Sequence, residues 1–427
     1  MLSRLSPDLS PLRESAGFRV IFASRTVTIF GGQASEVALL VQARQLTGSP
    51  AAVGLLGVAE LVPLLTLGLY GGALADRLDR RALLRWCEAG QVITVALLLV
   101  NALLPHPAVW PLYALAAVLT GIGALQRPSF DASVPRLISP DRLTAASALL
   151  SMSINAGVIV GSSLGGVLAV APGPWLVYAL HAGSLAVSFV VLGSLRPMPV
   201  TATHRDTGGG ILDGLRFARG RRDLIGSYLA DLSAMIFGYP NAVIPFMAVT
   251  LRAPWSAGVL FAAPAVGALA ISAASGWMGS VRRLGVAIAV AAAAWGAAIA
   301  GFGLAPDVYV AVACLLVAGA ADEVSAVFRS TMWNRSIPDS VRGRMAGVEL
   351  LSYSVGPSAG QVRSGLMASA GGARFSLVSG GVICVGAVAL VCAVFPAFTR
   401  YRTPSSDVSE APGGSGASGV EAETEPV

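Results

Sequence analysis

Gly72-Ala-Leu-Ala-Asp-Arg-Leu-Asp-Arg-Arg81 is the stretch on which the reading of the fold turns. It is a short charged loop between two long apolar runs, 51–75 and 82–104. Gly72 permits close approach of helices near a membrane surface. Asp76 can accept hydrogen bonds from a helix N-terminus or from an arginine of a neighbouring span. Arg77, Arg80 and Arg81 can pair with acidic groups or with lipid phosphates. Such a cluster makes a breakable latch between moving helices, and on composition alone it serves equally well to set topology.

The rest of the chain supplies the membrane that this loop needs. Of 427 residues, 55% are apolar and only 12% charged. A soluble domain carries about 25% charged residues, and a chain this apolar could not cover its own surface in water. The mean hydropathy of +0.71 agrees. Spans are expected at 18–43, 51–75, 82–104, 108–134, 143–170, 174–195, 224–250, 255–279, 285–305, 308–334, 345–370 and 375–397, which predicts an all-α membrane protein of about twelve helices.

All 29 basic residues are arginine, and those in loops fall mainly on alternate loops, with little beyond Arg252 and Arg374 on the others. The positive-inside rule then places both termini in the cytoplasm, in keeping with an even number of spans. The N-terminal segment, 1–17, has no apolar core and does not read as a cleavable signal. The four cysteines, Cys87, Cys314, Cys384 and Cys392, lie in predicted spans without metal-ligand spacing.

Four regions follow: an N-terminal six-helix bundle over 1–195, a cytoplasmic linker over 196–223, a C-terminal six-helix bundle over 224–398, and a polar tail over 399–427 that reads as disordered. The linker contains Ile211-Leu-Asp-Gly-Leu-Arg-Phe-Ala-Arg-Gly-Arg-Arg222, whose apolar and arginine faces suit a short amphipathic helix on the membrane surface. Pro140-Asp141 and Pro338-Asp339 follow the fourth and tenth spans, a weak repeat of the kind two parallel halves leave.

The loop at 72–81 resembles the signature loop of the major facilitator superfamily, G-x-L-A-D-R-x-G-R-R/K, at its expected place between spans two and three. Asp79 stands where many members have Gly. Span five reads Gly157-Val-Ile-Val-Gly161-Ser-Ser-Leu-Gly165-Gly166. It is similar to the antiporter motif of exporters in that superfamily, with Ser162 in place of the usual Pro. Further pieces, among them Phe18-Arg-Val-Ile-Phe22 and Gly343-Arg-Met-Ala-Gly347, resemble the enterobactin-exporter and macrolide-efflux branch. The resemblance implies two six-helix bundles that rock about a central site. It also implies export of a siderophore, an antibiotic or a lipophilic drug by proton antiport from the cell membrane, as a monomer. A proton-coupled importer on the same fold is the alternative.

Ionisable groups inside spans cost about 2.5–3.5 kcal/mol on insertion scales and usually serve function. Asp322 and Glu323, mid-span, are the first choice for carrying a proton, because a carboxylate away from water and countercharge exchanges protons readily. Successive helical residues point about 100° apart, so one of the two is expected to face the pathway. Arg329 is expected to hold one of them charged. Glu36, Glu60 and Asp231 are further proton candidates. Arg25, Arg127 and Glu349 are candidates for the substrate, with an Arg127–Asp131 helical pair as the plainer reading of the second. Tyr70, Phe237, Tyr239, Phe246, Trp295, Trp333 and Tyr353 could wall a cavity. The arginines sit in loops between spans, which argues against nucleic acid as a partner. No nucleotide-binding loop, nucleophile–base pair or metal-ligand cluster is legible, so an enzyme, a cofactor and a metal are not expected.

Overall fold

The structure is a computed structural model that describes residues 8–75, 78–197, 220–337 and 339–402, with side chains outside 69–75 and 339–354. After a short helix α1 (Ser10–Glu14), six passes are made by α2 (Ala16–Thr47), α3 (Pro50–Ala75), α4 (Arg80–Leu103), α5 (Trp110–Leu137), the pair α6 (Leu143–Ala156) and α7 (Ser162–Val170), and α8 (Pro174–Leu192). Six more are made by the pair α9 (Arg222–Gly238) and α10 (Ile244–Thr250), α11 (Ala257–Ala273), α12 (Leu284–Leu304), α13 (Val308–Ser336), and two within α14 (Asp339–Val394). A last turn, α15 (Pro396–Thr399), follows.

The helix ends are fixed by local chemistry. Ser15 Oγ accepts from the Phe18 amide at 3.1 Å, and Gly48 closes α2 in the left-handed region at φ 61°. Asp79 Oδ1 accepts from the Ala82 amide at 2.9 Å. The residue that departs from the superfamily pattern is thus the N-cap of α4. Asp307 caps α13 through the amides of Tyr309 and Val310.

Eight stretches are long and apolar enough to cross a membrane on length and composition alone. The helices that miss that mark are α2, α5 and the broken α9–α10, which hold Glu36, Arg127 and Asp131, and Pro240. Large apolar side chains face outward along the passes, among them Val62, Ile93, Val190, Val290, Val382 and Leu390, each more than half exposed, which suits a lipid surround.

Two interruptions, in the seventh and fifth spans, differ from the continuous spans expected. The seventh span breaks between Gly238 and Ile244, because Pro240 has no amide to donate. The last two spans, as expected, are separate passes, which meet at Gly372 in the gap between 370 and 375, where a φ of 88° turns the chain. The fifth span carries a π turn at Gly157–Gly161, so Ser162 in place of Pro does not leave this helix regular.

One apolar cluster runs from Leu224 to Phe398. A second runs from Val37 to Tyr178 and Leu185 and reaches across to Ala242. Two seams join the halves toward the ends that carry few arginines. At one, a β-carbon on Gly54 of α3 would stand 2.8 Å from the Gln361 carbonyl oxygen of α14. The Ala51 amide donates to Ser369 Oγ there at 2.9 Å. At the other, Gly166 of α7 and Gly258 of α11 touch backbone to backbone. Small residues are what such close approach requires where lipid offers no hydrophobic drive between helices.

Candidate transport site

A cavity of about 270 Å³ lies between the halves. Glu36 on α2 and Asp322 on α13 face it from opposite sides. Tyr239 and Asn241 reach it from the break in the seventh span, and Trp295 of α12 and Phe261 of α11 add aromatic wall. The break is what supplies polar groups here: Asn241 Nδ2 donates to the Tyr239 hydroxyl at 2.8 Å. Gly319 and Pro264 pack backbone to backbone, which brings Asp322 close to α11.

The two neighbouring acids on α13 part company. Asp322 lines the cavity and makes no hydrogen bond or ion pair among the described residues. Glu323 turns to α11, where Oε1 accepts from Ser272 Oγ at 2.7 Å. On α2, Glu36 Oε2 accepts from Gln33 Nε2 at 3.3 Å, one turn earlier. Glu36 also lines a second cavity of about 270 Å³ inside the N-terminal half, with Glu60, Ser35 and Thr120. Glu36 therefore stands in the wall between two chambers. A larger groove of about 440 Å³ beside α2, α7 and α8 has an almost wholly apolar lining and no carboxylate.

Arg329 does not serve Asp322 or Glu323. It forms an ion pair with Asp231 of α9, and both side chains are buried. Seven residues along a helix is about 10 Å of rise, too far for Arg329 to reach Asp322, whereas α9 offers a carboxylate at its own level. Asp231 thereby leaves the set of groups open to the pathway. Arg25 Nη1 donates to Asp131 Oδ1 at 3.1 Å and lies 5.4 Å from the centroid of the Phe130 ring. Arg127 lies 4.0 Å from the same carboxylate and is 73% exposed. Neither arginine lines the central cavity.

Of the other expected groups, Tyr239 and Trp295 wall the cavity. Phe237 packs on the C-terminal core, Phe246 lies under Arg44, and Trp333 stacks on Tyr228 at 4.3 Å. Arg80 donates to the Ala132 carbonyl at 2.8 Å and Arg81 to that of Gly193 at 2.5 Å, tying α4 to α5 and to the end of α8. Gly157, Gly161 and Gly165 seat span five on α2, where a β-carbon at Gly161 would stand 2.6 Å from the Phe30 carbonyl oxygen. The side chain of Gly72's neighbour Tyr70, the residues Asp76 and Arg77, the side chains of Glu349 and Tyr353, and the amphipathic segment at 211–219 lie outside the described residues, as does any side-chain account of Gly72.

One buried acid escaped the sequence reading. Glu88 of α4 is fully buried, and its Oε1 accepts from Gln126 Nε2 at 3.1 Å. Gln126 Oε1 in turn accepts from Gln91 Nε2 at 3.0 Å. The signal was present as a charge inside the span 82–104, close to the arginines that drew attention to the loop.

Residues 6–413 match the family described as transmembrane secretion effectors. The chain is 28% identical over 409 residues to the enterobactin exporter EntS of Citrobacter koseri, covering 93% of this chain and 96% of that one. It is 27% identical to the enterobactin exporter EntS of Salmonella paratyphi A, covering 95% and 98%. Among solved structures it is similar to the nucleoside transporter NupG, with a TM-score of 0.74 at 13% identity, covering 90% of this chain and 100% of that one. It is also similar to a bacterial homologue of the human lysosomal transporter Spinster, inward-facing and unoccupied, with a TM-score of 0.74 at 15% identity, covering 91% and 99%. Those two likenesses establish the fold, that of multi-pass membrane transporters.

Proposed function

The chain belongs to the transmembrane secretion effector family, and from that premise we propose that it exports a small molecule across the cell membrane in exchange for protons. One observation carries the reading. A cavity between the two halves receives one carboxylate from each, Glu36 and Asp322, and neither has a cationic partner among the described residues. A carboxylate without a countercharge in a low-dielectric chamber is stabilised by taking a proton, and releases it when the chamber opens to water or to another cation. Loading and unloading these groups on opposite sides couples proton flow to a rocking motion of the halves.

The seams at Gly54–Gln361 and Gly166–Gly258 lie toward the arginine-poor ends. With the arginine-rich loops in the cytoplasm, those ends face outward, and the cavity opens to the cell interior. The N-terminal bundle (1–195) and the C-terminal bundle (224–398) are the moving parts, and the loop at 72–81 latches the opposite state. The enterobactin exporters among its relatives support a cargo of siderophore, antibiotic or drug size and a place in the inner membrane; the chain is proposed to act as a monomer. The test is efflux from proteoliposomes loaded with candidate cargo under an imposed pH gradient. Efflux should follow the gradient and stop with a protonophore. Efflux indifferent to the protonophore refutes the exchange.

A further inference from the structure

We infer that the cargo of the central cavity is an amphipathic organic cation, a protonated amine on an apolar body carrying at least one hydrogen-bond acceptor. The inference rests on the exporter reading only for the cavity's role. Its chemistry is read from the walls.

Both ionisable groups named at the wall, Glu36 and Asp322, are acids, and no arginine or histidine lines the cavity among the described residues. The arginines within reach of the two bundles are engaged elsewhere. Arg25 is held by Asp131, and Arg329 by Asp231. Arg363 donates to the backbone carbonyls of Ile236 at 3.0 Å and Ser376 at 3.4 Å. An organic anion in this chamber would meet two carboxylates and no countercharge. Its desolvation there would go uncompensated. A protonated amine supplies the missing countercharge to either acid.

The remaining walls fit the rest of such a molecule. Phe261, Tyr239 and Trp295 present aromatic surface, and a cation is attracted to an aromatic face, most strongly to that of Trp. Trp295 is only 6% exposed, and its indole N–H has no partner among the described residues. Gly238 leaves the space that this indole edge occupies. That edge packs against Gly238 and is closed off, so Trp295 offers the cargo its ring and not its N–H. The side-chain amides of Gln33 and Asn241 line the cavity, and each donates one N–H to Glu36 or Tyr239 and keeps a second for an acceptor on the cargo. Proton and cargo then compete for the same carboxylates, so binding one expels the other.

The experiment uses the purified full chain in detergent. Ethidium, a permanent aromatic cation, is the probe, followed by its fluorescence anisotropy. Tetraphenylphosphonium and 2,3-dihydroxybenzoate serve as cationic and anionic competitors. Saturable ethidium binding is expected, displaced by tetraphenylphosphonium and not by dihydroxybenzoate. Affinity should fall at least tenfold in Glu36→Gln/Asp322→Asn and about threefold in Trp295→Phe. Displacement by dihydroxybenzoate, the absence of saturable ethidium binding, or an unchanged affinity in the double variant overturns the assignment. Should the double variant not fold, the two competitors on the wild-type chain decide alone. No gradient is present, so binding that survives alongside gradient-independent efflux refutes proton exchange and leaves the cargo class standing.

Discussion

Asp231 and Asp322 are both aspartates in spans of the C-terminal half, and Arg329 sits on the same helix as the second yet serves the first. At Asp231 the charge is answered and enclosed, with both partners under 5% exposed. At Asp322 the charge is unanswered and faces a chamber. A paired charge holds helices in register, while an unpaired one at a cavity can change its proton or its ligand. The difference teaches which intramembrane acids belong to the scaffold and which to the work.

The sharpest way to break that contrast is to remove Arg329. Arg329→Ala leaves Asp231 buried without its partner and should cost about 3–5 kcal/mol, read as a loss of folded protein in membranes and a lower melting temperature. Asp231→Leu/Arg329→Met should recover most of it. A double variant as unstable as the single one would mean that the pair does more than cancel charge.

Gly166→Val tests the seam against the cavity. Backbone meets backbone there, so the added side chain should hold the arginine-poor end apart, at a cost of about 1–3 kcal/mol. Cross-linking of an Ala51→Cys/Ser369→Cys pair should then fall. An undiminished yield would show that the two seams move independently.

Asp322→Asn should slow proton-coupled efflux about tenfold, equivalent to about 1.4 kcal/mol, with the melting temperature nearly unchanged. Glu323→Gln should do the least. It weakens the hydrogen bond to Ser272, worth about 1 kcal/mol of stability, and should alter coupled efflux by less than twofold. If Glu323→Gln abolishes coupling while Asp322→Asn does not, the roles assigned to the two acids are reversed.

The spans were legible in the sequence because lipid demands long apolar helices, and the loop at 72–81 with the glycines of span five was enough to indicate the superfamily. The interruptions were harder to read. Pro240 marks the break in the seventh span, but an apolar run surrounds it on both sides. The turn at Gly372 lies in the gap left between the last two spans, so its place was legible and its positive φ was not. Within the site, the divergence of Asp322 and Glu323 was legible from the helical period, but not which of them faced inward. Arg329 was misassigned because sequence distance suggested its own helix, whereas packing placed Asp231 opposite. The chamber behind Glu36 and the enclosure of Glu88 depend on contacts between distant spans, which one chain read in order does not disclose.

The π turn at Gly157–Gly161 has a consequence for how this helix tolerates length change. A π turn accommodates one residue more than the α ladder it interrupts. Deleting one residue within it would therefore restore a plain helix and leave the faces on either side nearly in register. Gly166 would keep its face toward Gly258, whereas the same deletion in a regular helix would bring Val167 to that place. The fifth span thus carries a spare residue, and its loss should be better tolerated there than anywhere else along this pass.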